Sequence, residues 1–182
     1  MKFFINSVLL MLISSSVLAG SFKLSSNNIS EGMLMSKAEE FTGFGCNGGN
    51  LSPQLSWSGQ PEGTKSFAVT VYDPDAPTGS GWWHWQIVNI SSDIHELPQG
   101  AGDISKKLWP AQSLQIENDY GLPGFGGACP PKGSNPHRYQ FTVYALSIEK
   151  LDVTSGASGA LVGYMIKSNA LDSATIEALY AR

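Results

Sequence analysis

Two distant segments carry the side chains best suited to chemistry. The first reads YDPDAP over residues 72–77 and is followed by WWHW over residues 82–85. The second reads CPPKGSNPHRY over residues 129–139. Each ends with a histidine, His84 or His137, at or near the start of a strand-like run, and each has prolines in the loop before it. Two carboxylates, two imidazoles and an aromatic cluster on rigid loops can form a small polar pocket.

The aspartates of the first segment, Asp73 and Asp75, can act on these imidazoles. Aspartate before proline is a common turn residue, which by itself accounts for Asp73. A carboxylate can also accept a hydrogen bond from an imidazole and favour its protonated form, which then offers two donors to a phosphate oxygen. We therefore expect His84 and His137 to share one cavity with Asp73 or Asp75 and to bind an anion as protonated rings. His95 has no such setting and is expected at the surface.

An enzyme could use the same side chains, because an Asp–His pair can activate water as a general base. The chain, however, has no G-x-S-x-G elbow, no Cys–His motif, no phosphate-binding glycine loop and no pattern of metal ligands. The sequence therefore favours binding over turnover, with a hydrolase as the weaker alternative. Neither a metal nor another cofactor is expected.

The turn before WWHW is expected to be tight. Proline residues two positions on either side of Asp75 restrict the backbone, and cis X-Pro bonds recur in tight functional turns. This pattern predicts a cis peptide bond between Ala76 and Pro77.

Composition limits the classes of partner. The chain has 182 residues, which suits a single domain, and its formal net charge of −4 argues against binding to nucleic acid or to an anionic membrane surface. Charged residues make up only 14% of the chain, and 20 glycines and 10 prolines indicate a globular protein rich in loops.

The first 19 residues have the pattern of a cleaved signal peptide. Lys2 precedes a mostly apolar run over residues 3–12 that is too short to span a bilayer, and small residues lie at the cleavage positions around Ala19. An N-terminal strand or a membrane anchor is the alternative. The sequence thus predicts a periplasmic or secreted protein with one mature domain over residues 20–182 and no membrane span after cleavage.

Export bears on the state of the two cysteines, Cys46 and Cys129. An even number of cysteines in an oxidising compartment predicts a disulfide, with two buried free thiols as the alternative. Neither cysteine has a partner at the spacing of a metal site.

The elements that must position these residues are mainly strands. Strand-like runs cover residues 22–24, 55–57, 65–72, 85–90 and 139–146, and strand alternation places His84 on the face opposite Trp83 and Trp85. A helix is expected over residues 155–169 with Ser158 as its N-cap, and residues 174–180 form either a closing strand or an extension of the helix. Residues 100–136 lack periodicity and are expected to supply one wall of the site.

The motifs DPDAP, W-x-H-W and PPKG…PHRYxFxVYAL resemble the phosphatidylethanolamine-binding protein family, also called Raf kinase inhibitor-like. The stretch GFGCNGGNLSPQLSW over residues 43–57 is similar to its bacterial YbhB/YbcL-type branch, and the N-terminal extension to the exported members of that branch. The resemblance spans roughly residues 22–182. It implies a mainly β fold, an antiparallel sandwich with a peripheral helix and long loops, and it makes residues 174–180 a strand.

The resemblance also implies a ligand and a site. Family members bind phosphate-bearing molecules or phospholipid head groups in a pocket of this kind, so a small phosphate-bearing ligand is expected here. The pocket positions are Asp73, Asp75, Pro77, His84, Pro130, His137 and Tyr139. This chain departs from the pattern at Cys129, where a small residue is expected, and a disulfide there would narrow the entrance. Because family members also inhibit kinases and proteases, the alternative function is regulation of a kinase, a protease or a host partner through the pocket rim.

Overall fold

Ten strands and one helix form the regular structure of residues 21–182, the part of the chain that the computed structural model describes. The strands are β1 (Lys23–Ser25), β2 (Thr42–Gly43), β3 (Cys46–Asn47), β4 (Leu55–Ser58), β5 (Ser66–Asp73), β6 (Trp82–Ser91), β7 (Glu96–Leu97), β8 (Leu114–Gln115), β9 (His137–Leu146) and β10 (Ala170–Tyr180), and the helix is α1 (Gly159–Asn169). The predicted signal peptide lies outside the described residues.

The main sheet has five antiparallel strands in the order β10-β9-β5-β6-β8, with β5 at its centre. Nearly every residue of β5 is buried, which accounts for its run of β-branched and aromatic side chains. A three-stranded sheet, β1-β4-β7, covers one face of the main sheet, and β2 pairs with β3 in a short hairpin. The predicted mainly β, antiparallel sandwich with one peripheral helix is confirmed.

Two apolar clusters hold these layers together. The larger lies between the sheets and includes Trp57, Phe67, Trp85 and Phe141. The smaller lies between the other face of the main sheet and α1, where Val162 and Ile166 are buried. Burial of both faces of the main sheet leaves mainly the ends of its strands open, and a cleft at a strand end is where a small ligand fits best.

The helix begins where the sequence predicts a cap, because the Ser158 side chain accepts a hydrogen bond from the Leu161 N–H at 3.3 Å. Residues 174–180 lie in strand β10, as the resemblance implies, and the strand begins earlier, at Ala170. The long segment over residues 100–136 contains β8, a short strand that the sequence does not predict.

A bulge in β6 changes the side-chain alternation around His84. Val71 pairs with Trp85 whereas Tyr72 pairs with Trp83, so β6 has one extra residue at this point. As a result, Trp85 lies in the core between the sheets while Trp83 packs against α1. The prediction that Trp83 and Trp85 share one face is wrong, because regular alternation does not continue through a bulge.

The prediction of a cis bond at Ala76–Pro77 is also wrong, since no peptide bond among the described residues is cis. The chain reverses by other means. The Asp75 N–H donates to the Asp73 carboxylate at 2.8 Å, and the Thr78 N–H donates to the Ala76 carbonyl at 2.8 Å. An Asx turn and a three-residue turn centred on Pro77 therefore bend the backbone without a cis bond.

Candidate functional site

A cavity of about 160 Å³ opens at the C-terminal end of β5. Because β6 and β9 run antiparallel to β5 on either side, the end of β5 at Asp73 lies beside the beginnings of both neighbours. This topology brings together the two motifs that are distant in sequence. The predicted site residues that line the cavity are Asp73, Pro77, His84, Pro130, His137 and Tyr139.

Asp73 and His137 form a buried pair across the cavity wall. The His137 Nδ1 atom lies 2.8 Å from Asp73 Oδ2, and the residues are 6% and 2% exposed. The other carboxylate oxygen of Asp73 accepts the N–H of Asp75. Because a carboxylate can only accept, Nδ1 of His137 carries a proton and Nε2 is the nitrogen available to a ligand.

His84 is held differently, by backbone carbonyls. Its Nδ1 atom lies 2.7 Å from the Gly126 oxygen and 3.1 Å from the Gly127 oxygen, so Nδ1 carries the proton. Burial lowers the pKa of His84, and the carbonyls of Gly126 and Gly127 and the carboxylates of Asp73 and Asp119 only partly oppose that effect. The ring is therefore neutral near pH 7, with a lone pair on Nε2. The burial of His84 argues against the expectation that it binds an anion as a protonated ring.

Two further polar groups at the cavity form no hydrogen bond of normal geometry among residues 21–182, although one of them approaches the Asp73 carboxylate. These are the hydroxyl of Tyr139 and the indole N–H of Trp82, both buried atoms of residues that line the cavity. Burial, with a contribution from the nearby Asp73 carboxylate, raises the pKa of Tyr139, so its hydroxyl keeps its proton. A buried polar group without a partner costs roughly 1–3 kcal/mol, which a ligand oxygen could recover.

The charge of the cavity wall is unusual for an anion site. Within the described residues, no lysine or arginine lines it, and its carboxylate is that of Asp73. Among the described lining residues, positive charge can come from the imidazole of His137, since His84 is neutral, and the charge of Arg182 acts on the lining residue Tyr120 from outside the lining. The cavity therefore suits a ligand group with a single negative charge better than one with two.

Asp75 lies outside this cavity and pairs with Arg138. Its carboxylate accepts hydrogen bonds from Nε, Nη2 and the backbone N–H of Arg138 at 2.8–2.9 Å. The side-chain hydrogen bond from Arg138 is the main cause that lowers the pKa of Asp75 to about 2, against a smaller opposing effect of burial. Asp75 thus braces the turn that positions Asp73, and the structure does not place it among the cavity-lining groups.

The cavity rim is apolar and lies next to a disulfide. Cys46 and Cys129 are joined, with their Cα atoms 6.0 Å apart, and Cys129 itself lines the cavity. The disulfide fixes the hairpin of β2 and β3, whose turn carries Phe44 at the rim with 73% of its surface exposed. Pro130 and Pro131 form the adjoining wall.

The lining also contains three aromatic residues that were not among the predicted site residues: Phe44, Trp82 and Tyr120. Trp82 stands in the WWHW motif and could have been included. Tyr120 lies in the aperiodic segment, where no pattern marks it, although its ring stacks on Phe41 at 4.0 Å and meets the ring of His84 edge-on at 5.6 Å.

Between residues 21 and 182, no helix is both long and apolar enough to cross a membrane. Within the same range, no group of three or more histidine, cysteine, aspartate or glutamate side chains is arranged to hold a metal ion.

Comparison with known proteins gives consistent matches along the chain. A family model described as phosphatidylethanolamine-binding protein matches residues 25–181. The UPF0098 protein YbcL of Escherichia coli K12 is 54% identical over 180 residues, which cover 99% of this chain and 98% of YbcL. The UPF0098 protein YbhB of the same strain is 50% identical over 159 residues, covering 87% of this chain and 99% of YbhB.

The crystal structure of E. coli YbcL, described as a new member of the mammalian PEBP family, superposes with a TM-score of 0.88. The two chains are 55% identical in this comparison, which covers 90% of the present chain and 99% of that one.

Proposed function

This chain belongs to the phosphatidylethanolamine-binding protein family as a YbcL-type member, and we propose that it is an exported protein that binds a small phosphate-bearing ligand at the end of β5. The observation that carries the proposal is the set of polar groups left without partners in the cavity. The Tyr139 hydroxyl and the Trp82 N–H are buried there and form no hydrogen bond of normal geometry among the described residues. These two residues and His137 line a space large enough for a small oxyanion.

Export is supported by the N-terminal sequence and by the disulfide. A disulfide persists in an oxidising compartment such as the periplasm. The match to YbcL also covers 180 residues, or 99% of this chain, and so includes most of the N-terminal segment. The match to YbhB covers 159 residues, or 87% of this chain. Mass spectrometry of protein purified from the periplasm tests this part, with a mature chain starting near Gly20 as the expected result.

Binding is proposed in preference to turnover. The Asp73–His137 pair has the form of a general base, but the other groups of a covalent mechanism are engaged. The Cys129 sulfur is in a disulfide, and the Thr78 hydroxyl donates to the Gly81 carbonyl at 2.5 Å. Phosphate release from phosphoethanolamine, followed over hours, would identify a hydrolase instead.

The exposed Phe44 favours a second function, in which the rim contacts a protein such as a kinase, a protease or a host factor. An exposed aromatic side chain beside a polar cavity is suited to such a contact. A partner bound at this rim would be displaced by phosphoethanolamine, and Phe44→Ser would weaken the partner more than the small ligand.

Calorimetric titration of the mature protein with phosphoethanolamine tests the proposed function. We expect saturable binding that His137→Ala weakens about tenfold or more, since a charge-assisted hydrogen bond contributes roughly 1.5–3 kcal/mol. The matched control is His95→Ala, because His95 is exposed and lies outside the cavity lining. Absence of binding, or equal affinity in the two variants, would refute the proposal.

A further inference from the structure

We infer that the cavity selects an oxyanion that still carries a proton, namely a singly ionised phosphate monoester, over a sulfate ester of the same shape. The inference rests on the proposed function, because it specifies which phosphate-bearing ligand the site accepts. It depends on one property of the cavity: donors and acceptors both face the ligand.

The first acceptor is Nε2 of His84. Two backbone carbonyls occupy Nδ1, and the ring lines the cavity, so Nε2 is the nitrogen left to face the ligand. The arrangement is rigid, because the Gly126 N–H donates back to the His84 carbonyl at 2.8 Å. The neighbouring Gly127 N–H donates to the Asn50 side chain at 2.7 Å, which fixes the second carbonyl. Turning the ring over would leave the Gly126 carbonyl without its side-chain donor, whereas the Gly127 carbonyl would keep the Tyr120 hydroxyl at 3.1 Å.

The groups around His84 determine whether the ring stays neutral. The carboxylates of Asp73 and Asp119 favour a charged ring, and the rings of Tyr120 and Tyr139 pack against it at 5.6 and 5.1 Å. The complete burial of the ring outweighs the two carboxylates.

The second acceptor is the carboxylate of Asp73. Its two oxygens receive the His137 Nδ1–H and the Asp75 N–H, and the Tyr139 hydroxyl lies close to it. Because a carboxylate has about four lone-pair positions, at least one position remains for a donor of the ligand. A fully ionised oxyanion has only acceptors and would place its oxygens against these lone pairs. An oxyanion with one hydroxyl can donate to His84 or Asp73 while its other oxygens accept from Tyr139 and His137.

Charge leads to the same conclusion. With no lysine or arginine in its described lining, the cavity offers at most the single positive charge of His137 against the negative charge of Asp73. A second negative charge on the ligand would have no partner in a buried site, which is costly. Phosphate esters lose their second proton near pH 6, so the singly ionised form is available at mildly acidic pH, whereas a sulfate ester has no such proton.

Titration calorimetry of the wild-type mature protein with phosphoethanolamine and ethanolamine O-sulfate at pH 5.5 tests this inference. The two ligands have the same shape, the same ammonium group and about the same charge at this pH. We expect phosphoethanolamine to bind at least tenfold more tightly, and this preference to shrink between pH 5.5 and 8 as the monoester loses its proton. Equal affinity at pH 5.5 overturns the inference but leaves the proposed function intact. Binding of neither ligand overturns both.

A second measurement needs neither ligand nor substitution. Long-range nitrogen–proton correlation spectra report the protonation of each imidazole nitrogen. We expect His84 to carry its proton on Nδ1 alone from pH 5.5 to 8, and the signals of the exposed His95 ring serve for comparison in the same spectra. A proton on Nε2 of His84 in this range would remove the acceptor and overturn the inference.

Discussion

The Nδ1 atom of His137 donates a hydrogen bond to the carboxylate of Asp73 across 2.8 Å, in a position where both side chains are almost fully buried. This contact joins the end of β5 to the start of β9 and so links two residues of the two motifs that are 64 positions apart. A buried carboxylate requires such partners, because its desolvation otherwise costs several kcal/mol. The pair therefore serves both the fold and the cavity.

Asp73→Asn should weaken phosphoethanolamine binding about tenfold at pH 5.5. The neutral amide no longer stabilises the protonated ring of His137. Its NH₂ group replaces one of the two carboxylate oxygens and therefore faces another donor, either the His137 Nδ1–H or the Asp75 N–H. The fold should survive with about 1–3 kcal/mol less stability. Calorimetry and urea unfolding measure the two effects, and Asp152→Asn, at an exposed aspartate, is the control. Tighter binding in Asp73→Asn would mean that repulsion of the anion by this carboxylate dominates.

Most of the fold could be predicted from local patterns. The β-branched run of β5 is stopped by Asp-Pro, and the Ser158 cap precedes a helix with apolar residues on one side, so these elements are visible in the sequence. The ordered motifs also identified six of the residues that line the cavity.

What the sequence could not predict depends on contacts between distant segments. The bulge at His84 is set by its pairing with β5, and the tautomer of His84 is set by carbonyls 42 and 43 residues away. Asp73 and Asp75 look equivalent in DPDAP, yet only the fold shows that one faces the cavity while the other pairs with Arg138.

The Asp75–Arg138 pair should make stability depend on acid pH. The pKa of Asp75 is about 2 in the folded chain against an ordinary 3.8, so the unfolded chain takes up the proton first as pH falls. The contribution is complete above about pH 4 and is lost towards pH 2. Asp75→Asn should cost about 1 kcal/mol at pH 7, allowing for solvent screening of a partly exposed pair.

Urea unfolding of the wild type and Asp75→Asn at several pH values between 2 and 7 measures this dependence. The difference in the free energy of unfolding should be constant from pH 7 to about 4 and then vanish. Asp152→Asn should show no such pH-dependent difference. If the difference in the free energy of unfolding persists unchanged at pH 2, Asp75 stabilises the fold through packing and not through the charge of its carboxylate.

Removing the disulfide should affect both stability and the cavity. It closes a loop with a sequence separation of 83 residues, for which loss of a native disulfide typically costs about 2–5 kcal/mol. The double variant Cys46→Ser/Cys129→Ser should also bind phosphoethanolamine more weakly, because the hairpin that carries Phe44 loses its anchor. Reductant should bring the wild-type unfolding midpoint to that of the variant and leave the variant unchanged. Equal unfolding midpoints of the wild type and the double variant without reductant would show that the disulfide does not stabilise the fold.

Gly159→Ala should destabilise the protein through the ring of Trp83. A Cβ atom at Gly159 would lie 2.4 Å from that ring, which is confined between α1 and Tyr72, so the helix or the ring must move. Such overpacking costs about 1–3 kcal/mol.

The matched control for Gly159→Ala is Gly156→Ala, three residues earlier, where an added Cβ meets no atom within 4 Å. Gly156→Ala should leave the free energy of unfolding unchanged or raise it by up to about 1 kcal/mol, because alanine restricts the unfolded chain. Since Trp83 precedes His84 in the bulge, only Gly159→Ala should also weaken phosphoethanolamine binding. Urea unfolding followed by tryptophan fluorescence and calorimetry test both effects. Equal stability of the two variants would show that the helix can shift away from Trp83 at no cost.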